Sequence, residues 1–193
     1  MVFGAPDRTA SGDRVTLRFK TDCADQAAVI LRHRADLIGL GDPVLQIEPD
    51  AVLFELTLPG LPDDHSAIPA LLARPGKLVL SVAGQTVATE EDLGGKTALN
   101  LDSANKPYAQ IPLTDAAAKR YDDAVAGGAG MELRLDDELL MRQDPAPRLE
   151  DGVLRPAPPP ASPSEEMRTA ADWTIVIGGG AMPCPVAYDG LAG

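Results

Sequence analysis

The stretch LRHRADLIGLGDPVLQIEPDAVLFELTLPG, residues 31–60, decides how the rest of the chain is read. It opens in a helix whose apolar positions, Ala24, Ala28, Leu31, Ala35 and Ile38, recur at spacings of four, three, four and three, so that one face can be buried. Asp22 is placed to cap that helix and Gly39 and Gly41 to stop it, while Arg32 and Asp36 fall on its outer face. Pro43 opens a strand that runs through Ile47, Pro49 and Asp50 supply a tight turn, and Val52, Phe54, Leu56 and Leu58 alternate as the return strand of a hairpin. Local geometry is specified densely here, and no catalytic group is among the residues that specify it. The search for function is thereby directed toward binding.

Working outward, residues 14–20 alternate Val15, Leu17 and Phe19 with polar neighbours, which predicts a half-buried strand. After the Leu58, Pro59, Gly60 exit, Ser66 can cap a short helix carrying Ile68, Leu71 and Leu72, with Pro69 in its first turn where a missing N–H is tolerated. Pro75 and Gly76 end it, and Leu78, Leu80 and Val82 mark a closing strand. The order is strand, helix, strand, strand, helix, strand, so residues 13–83 are expected to form a ferredoxin-like βαββαβ module, behind a flexible start at 1–12. Residues 84–106 read as a linker or hinge.

Residues 107–193 read as a second, smaller module. YAQIPL is a strand, Thr114 caps a helix with Ala117, Tyr121 and Ala124 on one face, Gly127 and Gly128 end it, and two strands follow about Asp136 and Asp137. Seven of the 18 prolines lie between 144 and 164, a composition that favours an extended surface excursion, either a docking arm or a mobile spacer. EEMRTAAD reads as a brief helix and WTIVIG as a strand returning to the second sheet. The expected class is α+β throughout.

A formal charge of -12 repels phosphate, so neither nucleic acid nor an anionic bilayer is an expected partner. The longest uncharged stretch, residues 173–188, is broken by three glycines and two prolines and falls short of the roughly 20 apolar residues a spanning helix needs. No signal peptide is visible at the start, which suits a cytosolic protein or a trimmed piece of an exported one.

The run VILRHRADLIGLGDPVLQIEPDAVLFELTLPGL resembles the first periplasmic domain of the SecD protein-export membrane protein family, in which an Arg-x-Arg helix leads through glycine into a hairpin ending in Leu-Pro-Gly. The matching positions are Arg32, Arg34, Gly39, Gln46, Leu58, Pro59 and Gly60, all structural in character. The later YAQIPLTDAAAKRYDDAVAGGAGMELRLDDELLMRQDPAP is similar to the head of that domain, with LEDGVLRPAP as a second candidate for its Asp-Gly turn. The resemblance implies a bacterial, extracytoplasmic domain that contacts an emerging polypeptide, without the membrane helices that drive transport. A fixed structural subunit of a cell-envelope assembly is the alternative, and an enzyme with a triad invisible in sequence the third reading.

No catalytic, cofactor or metal set is assigned. Gly178, Gly179 and Gly180 invite a phosphate-loop reading, but no Gly-Lys-Ser/Thr ending follows, and a turn is the simpler account. His33 and His65 lack ligand-spaced neighbours, and Asp136, Asp137 and Glu138 suit a polar turn better than a cation loop. Cys23 and Cys184 are the only cysteines, and they are either a disulfide or two separate thiols.

Overall fold

The structure, a computed structural model, describes residues 13–40, 43–58 and 67–191. Its elements are β1 (Asp13–Lys20), α1 (Ala24–Ile38), β2 (Val44–Glu48), β3 (Ala51–Leu58), α2 (Ala67–Ala73), β4 (Leu78–Val82), β5 (Gln85–Thr89), β6 (Ala98–Leu101), β7 (Pro107–Pro112), α3 (Asp115–Val125), β8 (Met131–Leu135), β9 (Glu138–Gln143), β10 (Val153–Leu154), α4 (Pro163–Gly179) and β11 (Ala187–Leu191). The fold is α+β, with every strand pairing antiparallel. The expected positions Gly41, Pro59, Gly60, His65 and Ser66 and the start at 1–12 lie outside the described residues.

The first sheet has the order β11-β1-β3-β2, which is the ferredoxin-like arrangement of four strands. Its first three strands are the expected ones. Its second helix is the expected α2, whose Leu72 is buried in the same core, but its closing strand is not the expected one: β11, from the end of the chain, takes the place assigned to β4. The second module is therefore inserted within the first rather than following it. Leu17, Phe19, Val52, Phe54 and Leu56 face Leu31 and Ala35 of α1 in one core.

The reassignment of β4 has a visible cause. Alternating Leu78, Leu80 and Val82 announce a strand but not its partner, and β8 lies alongside with Leu135, Leu133 and Met131 in matching register. All six side chains are buried. The result is a second sheet of order β5-β4-β8-β9, whose core is shared with α3 and with a third sheet, β10-β7-β6.

Residues 84–106 are thus no linker. Ala83 and Gly84 both hold positive φ, 49° and 77°, a turn geometry that folds β5 straight back on β4, and β6 joins the third sheet. An Ala-Gly pair lacks the Asn-Gly or Asp-Gly signature of such turns, which is why the chain reads as irregular there. The proline-rich arm is likewise built in rather than peripheral: Leu154 pairs with Ile111, Pro156 O accepts from Ala109 N at 3.0 Å, and Ala146 and Leu154 are buried in the second core. Prolines donate nothing, but their carbonyls accept, and Asp151 and Gly152 make the tight turn into β10 with φ of 54° and 68°.

WTIVIG is helical, not a strand. Ser162 and Glu165 form a reciprocal capping box, Pro163 occupies the first turn, and Ala170, Trp173, Val176 and Ile177 recur at helical spacing on the buried face. A cap eleven residues upstream of Trp173 outweighs the local β-branched bias. In α1 the N-cap is Cys23 rather than Asp22, with Cys23 N donating to Thr21 Oγ1. Gly39 ends it as expected, at φ 81°, with Leu40 N returning to Ala35 O and Gly39 N to Asp36 O.

Candidate functional site

Two features of the molecule stand out as candidates, a buried polar junction and an open sheet edge. The junction is centred on Arg34, which is fully buried. Its Nη1 donates to Leu72 O at 2.8 Å and to Arg74 O, and its Nη2 donates to Gly180 O at 2.6 Å. These carbonyls belong to the ends of α2 and α4, where unpaired C=O groups and the helix dipole both favour a cation. Burial pushes the Arg34 guanidinium down to about 10, opposed by the charge of Asp136 and aided by that of Arg74. Its Nε has no acceptor among the described residues.

The polar chain continues outward. Arg74 donates to Asp136 at 3.0 Å and to Glu138 at 2.7 Å, Lys77 N donates to Asp136 at 2.8 Å, and Trp173 Nε1 donates to Glu138 at 2.9 Å. Burial holds the neighbouring Asp172 carboxyl above its ordinary value. The turn between β8 and β9 is thus fastened to α2 and α4, and through Arg34 to α1. This arrangement can lock the two cores in one orientation. It leaves Asp136 and Glu138 engaged by arginine, as a polar turn, and the residues suggested for a cation loop do not converge on a common point.

The open edge is β6, which pairs with β7 alone among the described residues. Leu99 stands opposite Ala109 and Leu101 opposite Pro107, both buried, so the two leucines lie on the core-side face, yet they are 37% and 49% exposed. Asn100, on the other face, donates to Gln110 across the pair at 2.6 Å. A side chain at Gly178 of α4 would touch both Thr97, just before β6, and Leu37 of α1, itself exposed. At the far end of this seam Lys106 pairs with Glu166 at 2.9 Å, and Met167 beside it is exposed. An unpaired strand edge therefore carries exposed Leu99 and Leu101, with exposed Leu37 near one end of its seam with α4 and exposed Met167 near the other. A second edge, β2, carries exposed Val44 and Ile47.

Of the positions singled out by resemblance, Arg34 and Gly39 have structural tasks that the structure makes explicit, Arg32 lies on the exposed face of α1, Gln46 is exposed on β2, and Leu58 pairs with Asp13. Gly178 and Gly179 are in α4, and Gly180 is its C-cap, donating its N–H to Ile177 O and offering its carbonyl to Arg34. His33 is exposed on α1. Cys23 and Cys184 are joined as a disulfide, Cα to Cα 6.2 Å, across 161 residues. The β6 edge was missed in sequence because Leu99 and Leu101 lie in a stretch that reads as a linker; their period-two spacing was the available signal.

No protein-family model matches the chain, and no curated protein matches it by sequence. Among solved structures it is similar to SecDF in a super-membrane-facing form, with 15% identity and a TM-score of 0.76 over 97% of this chain and 32% of that one. The chain thus spans about a third of that protein's length. It is also similar to a structure of SecDF, a membrane component that enhances protein export, with 15% identity and a TM-score of 0.72 over 93% of this chain and 100% of that one. The fold implied by the resemblance to the SecD periplasmic domain is the fold the chain has.

Proposed function

We propose that the chain is an export-type binding module that contacts extended polypeptide at the free edge of β6. The observation that carries this reading is the pairing of an open ladder of main-chain groups with two exposed apolar side chains on the same strand, Leu99 and Leu101. Strand addition draws affinity from main-chain hydrogen bonds, which any sequence offers, and modest selectivity from alternate side chains entering apolar pockets. That is the chemistry a partner without a fixed sequence requires. The likeness to a membrane component that enhances protein export supports the same reading.

The test is a titration of the purified chain with one polypeptide in a permanently unfolded form and in its native form. Binding of the unfolded form alone is expected. Replacing Leu99 and Leu101 together by serine should weaken it roughly tenfold, the effect of losing about 1.4 kcal/mol of apolar contact. Equal failure to bind both forms would favour a fixed envelope subunit, and binding unchanged in the double variant would move the contact elsewhere on the surface.

A further inference from the structure

The Cys23–Cys184 disulfide ties the start of α1 to the segment that leads into β11. Cys23 is the N-cap of the 15-residue α1, and its carbonyl already accepts from Gln26 N and Ala27 N. A thiolate formed at that position faces the positive end of the helix. The other sulfur, Cys184 Sγ, lies 2.9 Å from Thr21 Oγ1, and with both cysteines bonded to each other the hydroxyl is the donor. Both leaving sulfurs therefore have a group ready to stabilise negative charge, the feature that speeds attack by an outside thiolate. Asp22, whose carboxylate is within 4.8 Å of both sulfurs, and Asp25 in the first helical turn oppose that charge. Both cysteines are half-buried, and Cys184 is flanked by exposed Pro183 and Pro185, so a reagent can reach the bond.

What the bond holds is β11. This strand pairs with β1 over only three residue pairs and through an irregularity in register, and Ala187, Asp189 and Leu191 are exposed. It is held besides by the Tyr188 ring on Phe19 at 5.8 Å, by Val186 packed against the first core, by contact with α2, by buried Met182, whose N donates to Pro75 O at 2.7 Å, and by ion pairs from Arg18 and Lys20 to Asp189 at the surface. Beneath it runs β1, the strand paired with β3 along its whole length.

We propose that the disulfide is a redox-operated clasp on β11, and that its reduction by an external dithiol lets β11 open away from the β1 edge. The dithiol's thiolate attacks one sulfur, the other leaves as a thiolate, and the dithiol's second thiol resolves the mixed disulfide. Two electrons pass to the protein, the dithiol becomes a disulfide, and its two protons end on Cys23 and Cys184 or in solvent.

Hydrogen exchange read by mass spectrometry on the whole chain, before and after dithiothreitol, tests this, with two free thiols per chain as the check on reduction. Protection in residues 14–20 and 185–191 should fall by at least about tenfold while β8 is unchanged, and a Cys23→Ser, Cys184→Ser variant should show the same pattern without reductant. Unchanged protection after complete reduction would overturn the clasp. So would loss of protection throughout both cores, which would make the bond a global staple, or a disulfide that resists the dithiol until the protein unfolds.

Discussion

Replacing Arg34 by methionine removes a side chain that bridges the ends of α2 and α4 while keeping much of its volume. Three hydrogen bonds to backbone carbonyls disappear, and each bond from a charged donor contributes about 1.5–3 kcal/mol. Against this stands the relief of burying a cation. Its lowering from the ordinary guanidinium value to about 10 corresponds to roughly 3 kcal/mol, at about 1.4 kcal/mol per unit. The balance is a loss of about 4 kcal/mol, in the range for breaking a buried charged network from one side. With about 2.1 cal/mol/K of unfolding entropy per residue, a chain of 193 residues should lose roughly 10 °C in Tm. Calorimetry gives that number, and the single tryptophan gives the local one: Trp173 is tied to the same network through Glu138, so its emission should change in the native state of the variant. Arg34→Lys should recover only part of the loss, since an ammonium cannot span three carbonyls in a fixed fork. A methionine variant melting within about 2 °C of the parent would refute the reasoning, because desolvation would then cancel the bonds completely.

Gly179→Ala should destabilise by a mechanism other than helix propensity, because the added methyl would occupy the space of the Arg34 Cγ; in an Arg34→Ala background, which lacks that carbon, its effect on Tm should shrink measurably. Leu154→Ala, in the proline-rich arm, should lower stability by about 2–4 kcal/mol in urea titration, and removing residues 145–163 in favour of a short Gly-Ser link should unfold the second core. The pH dependence follows from Glu166, held below its ordinary value of 4.5 first by the Ala161 N–H and then by Lys106. Its contribution is fully present above 4.5 and is lost as pH falls through the lower folded value. Glu166→Gln should therefore flatten part of the decline in Tm measured below that pH, and a decline as steep as the parent's would show that other carboxylates dominate.

The helix of residues 24–38, the hairpin after it, the strand at 107–112, the capped helix at 115–125 and the strands about Asp136 are all legible in the amino-acid sequence, because each is written in local chemistry. Spacing sets which face is apolar, a hydroxyl before the first turn sets a start, and glycine sets a stop. Pairing is not local. Leu78, Leu80 and Val82 are equally suited to either sheet, and only the match with Met131, Leu133 and Leu135 in three dimensions selects the second. The closing of the ferredoxin-like sheet by residues 187–191 depends on the same kind of choice, made 129 residues beyond the end of β3 at Leu58. Arg34 shows the division within one residue. The periodicity that marks Ala24, Ala28, Leu31, Ala35 and Ile38 as the apolar face leaves Arg34 out, since a charge is buried there only at a cost of several kcal/mol. The carbonyls that offset that cost come from Leu72, Arg74 and Gly180, which lie 38, 40 and 146 positions away and meet it only when both cores are assembled. The β6 edge is open for the complementary reason: a strand's sequence sets which face its leucines occupy, but whether a neighbour covers them is decided by the packing of everything else.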